Sequence, residues 1–134
     1  MIVIDASAIV AILTREPESE RLIAALERGG EAAASPIAIF EAALGLRRER
    51  KCSVAEAEAD VTDFLKAARV KLTAIEPRDA HGALEAFARY GKGTGHPAQL
   101  NLADCFAYAQ ARAARAPLLF KGDDFSRTDL AAAA

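Results

Sequence analysis

The period of apolar and polar positions changes repeatedly along the chain, and each change marks an element. "IVI" at Ile2–Ile4 is a β-branched run with no polar break, the pattern of a strand buried on both faces. From about Ala6 to Arg15 the chain reads as a helix, which Pro17 interrupts before a second one through Arg28. Gly29-Gly30 closes that helix, and "EAAAS" is a candidate second strand despite the poor strand preference of alanine. Ser35 as N-cap and Pro36 at the first helical position open a helix to about Lys51, and Ser53 caps another through Ala68.

"VKLTAIEP" alternates apolar with polar residues and ends at Pro77, so it predicts a strand, followed by a helix from about Arg78 to Tyr90. The glycine-rich "GKGTGHPAQLN" predicts a flexible loop. Asn101 can cap a helix from Leu102 to about Arg115, "PLLF" predicts a last short strand, and "KGDDFSRTDL" a polar loop or turn. The terminal AAAA predicts a frayed end. Short apolar strands alternating with helices indicate an α/β domain with a parallel sheet covered on both faces. Ligands of such sheets bind outside the carboxyl ends of the strands. Asp5 is the first residue after the first strand, and Asp123 and Asp124 follow "PLLF" closely, so all three belong to that edge.

Composition narrows the class. With 134 residues, 52% of them hydrophobic, the chain makes a single domain, residues 1–134, with enough length for a real core. A net charge of -2 argues against a generally basic nucleic-acid coat but leaves room for a local basic groove or for phosphate contact through a metal. Cys52 and Cys105 form no CxxC pair and read as reduced thiols, which fits a cytoplasmic protein. Acidic Asp5 lies too early for a signal peptide, and no apolar run is long enough to span a membrane.

The acids carry the candidate chemistry. Asp5 can cap the first helix, although Ser7 could do the same work. Asp104, in the first turn of its helix, can close a capping box with Asn101, while its helical neighbours Ala107, Tyr108 and Ala111 suggest that it faces packing. Glu41 shares helical spacing with Ile37, Phe40 and Leu44, which predicts an inward carboxylate with no Arg or Lys on its face. Inward acids at strand ends repel one another, and the physical remedy is a divalent cation. Hard oxygen donors without a His or Cys cluster favour Mg²⁺ or Mn²⁺ over zinc, and phosphoryl chemistry on water follows. His81 and His96 are too few and too scattered for a zinc site. "GKGTG" follows a helix and lacks a GK[ST] ending, so it is no phosphate loop. Arg47, Arg48, Arg50 and Lys51 suit a helix end favoured by the dipole and could also grip a nucleic-acid backbone.

Taken in order, "IDASAIVAIL", "SPIAIFEAALGL", "LNLADCFAYA" and "PLLFKGDDFSRTDL" resemble the PIN domain, and more narrowly the VapC-type ribonuclease toxins of bacterial toxin–antitoxin modules. The resemblance implies a three-layer α/β/α fold with a central parallel sheet of four to five short strands. It implies a Mg²⁺- or Mn²⁺-dependent endoribonuclease that acts on RNA, forms homodimers and is neutralised by a cognate antitoxin. Carried over, Asp5 and Asp104 are the principal metal ligands, Glu41 is a further ligand or the base for the attacking water, and Asp123 or Asp124 is the fourth acid, with Asp123 preferred. Ser7 and Thr128 are polar residues supporting that site. Two other classes compete. Aspartyl-phosphate phosphatases need a second acid where this chain has Ser7, and they leave Glu41 unexplained. A non-catalytic binding module would use the acids only as caps and ion-pair partners.

Overall fold

The computed structural model describes all 134 residues. Four short strands, β1 (Ile2–Ile4), β2 (Ala32–Ala34), β3 (Val70–Leu72) and β4 (Leu118–Leu119), form one sheet in the order β3-β2-β1-β4, parallel throughout. Six helices connect them: α1 (Ala6–Leu13), α2 (Ser19–Arg28), α3 (Pro36–Arg50), α4 (Val54–Ala67), α5 (Pro77–Tyr90) and α6 (Leu102–Ala114). Strand pleating sorts the core into two layers. Ile2, Ile4, Ala32, Ala34 and Leu119 pack with α1–α4, whereas Val3 and Leu118 pack with α5 and α6. The three-layer α/β/α fold read from the chain is the one observed.

Alanine is what lets the layers close. Ala8, Ala11, Ala38, Ala42 and Ala43 are buried between helices and sheet, with the all-alanine β2 beneath them. Gly45 lies inside α3, where glycine weakens a helix by about 1 kcal/mol relative to alanine. Its place is steric, because a Cβ there would stand 3.0 Å from Val10 Cγ2 of α1. That close approach brings the Glu41 turn of α3 beside the start of α1.

Several elements differ from the sequence expectation. Helix α1 stops at Leu13 rather than Arg15, since Arg15 takes a left-handed φ of 54°. Strand β3 ends at Leu72 instead of continuing toward Pro77. Its partner β2 is only three residues long, because Ser35 must leave the sheet to cap α3, so a longer β3 has nothing to pair with. The glycine-rich segment is not a loose loop. Lys92 N–H donates to Leu100 O at 2.8 Å, Leu100 N–H donates to Tyr90 O at 2.9 Å, and Ala98 and Leu100 are fully buried. His96 accepts from Ala98 N–H and packs edge-on against Tyr90. Nor is the terminal alanine run frayed. Leu118 N–H donates to Ala131 O and Leu118 O accepts from Ala133 N–H, so this segment makes a parallel bridge to β4. No helix is long and apolar enough to cross a membrane.

Candidate active site

The sheet order reverses between β1 and β4. β1 is followed in sequence by β2 on one side, while β4 enters on the other, so a crevice opens at the carboxyl ends of this pair. Asp5 leaves β1 at that crevice. It is 7% exposed and caps α1, and its Oδ2 accepts both the Ser7 N–H at 3.0 Å and the Ser7 hydroxyl at 2.6 Å. The serine hydroxyl in turn accepts the Lys121 N–H just beyond β4 at 3.0 Å. One hydroxyl therefore ties the ends of the two diverging strands together.

Asp5 opens on a cavity of about 270 Å³ shared with Ser7, Glu16, Glu41, Arg48, Asp104 and Lys121 among its lining residues. Asp104 reaches it from the first turn of α6, where Asn101 accepts the Asp104 N–H at 2.9 Å and Asp104 Oδ2 accepts the Asn101 N–H at 3.1 Å. Half-burial outweighs that bond and, with the nearby charges of Asp5, Asp124 and Glu41, lifts the Asp104 carboxyl to about 7. Burial likewise raises Asp5, against the lowering effect of the Ser7 bonds, and Glu41 adds to the rise. Four acids from four parts of the chain thus share one field, and none of them is in an ion pair.

Glu41 arrives by a route other than the spacing suggested. The buried face of α3 is Ala38, Ala42, Ala43, Gly45 and Leu46, while Phe40 is 64% exposed and Glu41 is exposed too. The carboxylate lies on the cavity wall, and Arg48, seven residues on, lines the same cavity, so a cation does share its face. Of the late acids, both Asp123 and Asp124 are exposed; Asp124 acts on Asp104 electrostatically, whereas Asp123 presents its backbone carbonyl to the Ser126 hydroxyl at 2.6 Å. The field on Asp104 is the feature that distinguishes Asp124 from Asp123. Thr128 does not touch the acids: its hydroxyl donates to Phe125 O at 2.7 Å and accepts from Leu130 N–H, closing the turn after the single 3-10 turn Phe125–Arg127.

Three charged lining residues, Glu16, Glu49 and Lys121, carry no signal of the site in the motifs of the sequence. Glu16 follows α1 and pairs with Lys121 Nζ at 2.7 Å, and Glu49 lies farther along α3. The position of Lys121 directly after "PLLF", at a strand's carboxyl end, was the available signal. The donor set suits a hard divalent ion in kind, since Asp5, Glu41 and Asp104 are carboxylates and neither Arg48 nor Lys121, on the same cavity, pairs with any of them. As the side chains stand, no three acids are gathered closely enough to hold one. Ser7 occupies the place where an aspartyl-phosphate phosphatase needs an acid, and here it is spent as a donor to Asp5.

A model of the PIN domain matches residues 2–130. The chain belongs to the PIN-domain family. It is 42% identical over 138 residues to a VapC ribonuclease of Rhizobium meliloti strain 1021, an alignment covering 95% of this chain and 97% of that protein. Solved structures share its fold, and two of them are toxins or toxin complexes by name. One is the Mycobacterium tuberculosis VapC20, a toxin that cleaves the sarcin-ricin loop, with a TM-score of 0.74 at 16% identity over 97% of this chain and 96% of that one. The other belongs to a toxin–antitoxin complex from Klebsiella pneumoniae, with a TM-score of 0.67 at 19% identity over 94% and 91%. In this PIN domain neither free cysteine lines the crevice; Cys105 is buried, and that burial, with the Asp104 carboxylate beside it, raises its thiol to about 11.

Proposed function

We infer that this PIN domain is a metal-dependent endoribonuclease, the toxin of a toxin–antitoxin pair, which hydrolyses RNA phosphodiester bonds with an activated water. The observation that carries the reading is the set Asp5, Glu41, Asp104 and Asp124, coupled in one field at the crevice with no basic side chain paired to any of them. Asp5 and Asp104 would hold Mg²⁺ or Mn²⁺, with Asp124 completing the set. Such an ion supplies a more acidic bound water and neutralises charge on a phosphodiester. Glu41, exposed on the cavity wall, is the carboxylate free to take the proton of the attacking water. Ser7 holds the Asp5 carboxylate at the cavity through its two bonds to Oδ2.

The family relationship supports RNA as the substrate and an antitoxin as the partner, and we assign the protein to the cytoplasm as a homodimer. Apolar side chains left at the surface, Phe40 next to Glu41 and Leu84, Phe87 and Leu102 on α5 and α6, give protein partners places to dock. The test is cleavage of labelled structured and single-stranded RNAs by antitoxin-free protein with Mg²⁺ or Mn²⁺. Activity that disappears in EDTA, in Asp5→Asn and in Glu41→Gln is the expected result. Asparagine caps helices as well as aspartate, so Asp5→Asn keeps the fold while removing the charge. Melting in EDTA and then in Mn²⁺ separates this reading from a non-catalytic module, because an ion bound only by the folded state raises its stability. Unchanged melting, together with cutting that survives in both variants, would overturn the assignment.

A further inference from the structure

The acids account for one side of the cavity; its cations have no role in the metal reading. Lys121 lies just beyond β4, at the crevice between the two diverging strands. Its backbone is fixed by the 3.0 Å bond to Ser7 Oγ, one hydroxyl away from Asp5. Its side chain lines the same cavity as Asp5, Glu41 and Asp104 and is 39% exposed. The ammonium is not free, because Glu16 Oε2 stands 2.7 Å from Nζ on a side chain 26% exposed. Glu16 comes from the short connection between α1 and α2 and belongs to neither the metal set nor the Asp5–Ser7 link. Arg48 opens onto the same wall without a carboxylate partner.

A site that gathers four carboxylates repels a polyanion, and a nuclease must still draw a phosphate to within reach of them. A fixed cation at the rim solves this, provided that its charge becomes available when the phosphate arrives. Resting on the ribonuclease reading, we propose that Lys121 is the phosphate-binding cation of this site, and that Glu16 is its resident counter-ion, displaced by a phosphate of the RNA strand. A partly exposed ion pair of this kind is weak enough to exchange. Lysine suits the task, being a mobile point charge that can swing from one oxygen to another. Glu16 therefore sets a threshold: it competes with RNA for the same ammonium.

The experiment is a double-mutant cycle on binding, in EDTA so that nothing is cut. Wild type, Lys121→Gln, Glu16→Gln and the double variant are titrated against a fluorescein-labelled, mixed-sequence single-stranded RNA of 20 nucleotides, at low and rising salt, by anisotropy. Lys121→Gln leaves the backbone bond to Ser7 in place, and melting checks the fold of each variant. Glu16→Gln is expected to tighten binding by about 3- to 10-fold, and that gain should vanish when Lys121 is also Gln. The salt slope of Glu16→Gln should exceed that of the double variant by about 0.7, the value for one single-strand phosphate contact. A gain from Glu16→Gln that persists without Lys121 would overturn the proposal, since it would be a general charge effect. So would the absence of binding by Glu16→Gln at the lowest salt. Failure of the ribonuclease reading shows elsewhere, as wild type that neither gains stability from Mn²⁺ nor cuts RNA.

Discussion

Ser7 Oγ donates to Asp5 Oδ2 at 2.6 Å while accepting the backbone N–H of Lys121 at 3.0 Å, so one hydroxyl joins the ends of β1 and β4 across 114 positions of sequence. Removing it in Ser7→Ala leaves a buried carboxylate with one donor fewer and the Lys121 N–H without its acceptor. We expect a stability loss of about 1–3 kcal/mol in thermal or urea unfolding. Cleavage should fall by about 10- to 100-fold, the usual effect of freeing a metal ligand from its orienting partner. Ser7→Thr, which keeps the hydroxyl, should recover most of both. A Ser7→Ala protein with full activity would show that the rotamer of Asp5 is set by something else.

Asp104 makes the metal-free protein sensitive to pH in the direction opposite to an ion-paired carboxylate. Its folded pKa of about 7 lies above the ordinary 3.8, so the folded state holds a proton that the unfolded chain releases. Its contribution to stability is complete below the ordinary value and is lost as pH rises through 7. Melting in EDTA should therefore fall between those limits, and Asp104→Asn should flatten that slope and melt higher than wild type at pH 8. Asp5, raised in the same direction, leaves part of the slope in place. Mn²⁺ should restore wild type at pH 8 and do little for the variant. An unaltered slope in Asp104→Asn would place the titration on another group.

Much of this site can be read along the chain because strand ends and caps are local. A buried "IVI" that ends in Asp5, Ser35-Pro36 and Asn101 with Asp104 each announce a boundary within four residues. Glu41 was located by a rule that misread its helix. Large apolar residues ordinarily mark the buried face, but the buried face of α3 is mostly alanine and glycine, so Ile37, Phe40 and Leu44 mark a different side. The Glu16–Lys121 pair was not legible at all. It joins residues more than a hundred positions apart, and nothing near either one signals the other.

The adjacent acids Asp123 and Asp124 should separate cleanly by mutation. Both are exposed, but Asp124 adds to the field on Asp104, while Asp123 engages Ser126 only through its backbone carbonyl. Asp124→Asn is expected to lower cleavage by about 100-fold or more, in the range for losing a group that acts on the transition state, and Asp123→Asn by less than about 3-fold. Initial rates at saturating Mn²⁺ decide between them. The reverse ranking would return the fourth acid to Asp123.

Behind this loop, Tyr108 donates to Asp129 Oδ1 at 2.5 Å, and Arg112 and Arg89 reach Oδ2 at 3.2 and 3.5 Å. Tyr108 lies on α6 one turn beyond Asp104, so this cluster fastens the segment that carries Asp124 to the helix that carries Asp104. The tyrosine bond, with the two arginines, holds the Asp129 carboxyl below its usual range. The sign is then that of a favourable carboxylate: its stability is present above the ordinary carboxyl pKa and is lost as pH falls through the lower folded value. Tyr108→Phe removes only the hydroxyl from a buried ring, so its cost should be about 1–3 kcal/mol at pH 7. The cost should shrink below pH 4 as Asp129 protonates. Unfolding free energies of wild type and variant across pH 3 to 7 measure that convergence, and two curves that stay parallel would mean that the hydroxyl acts without Asp129.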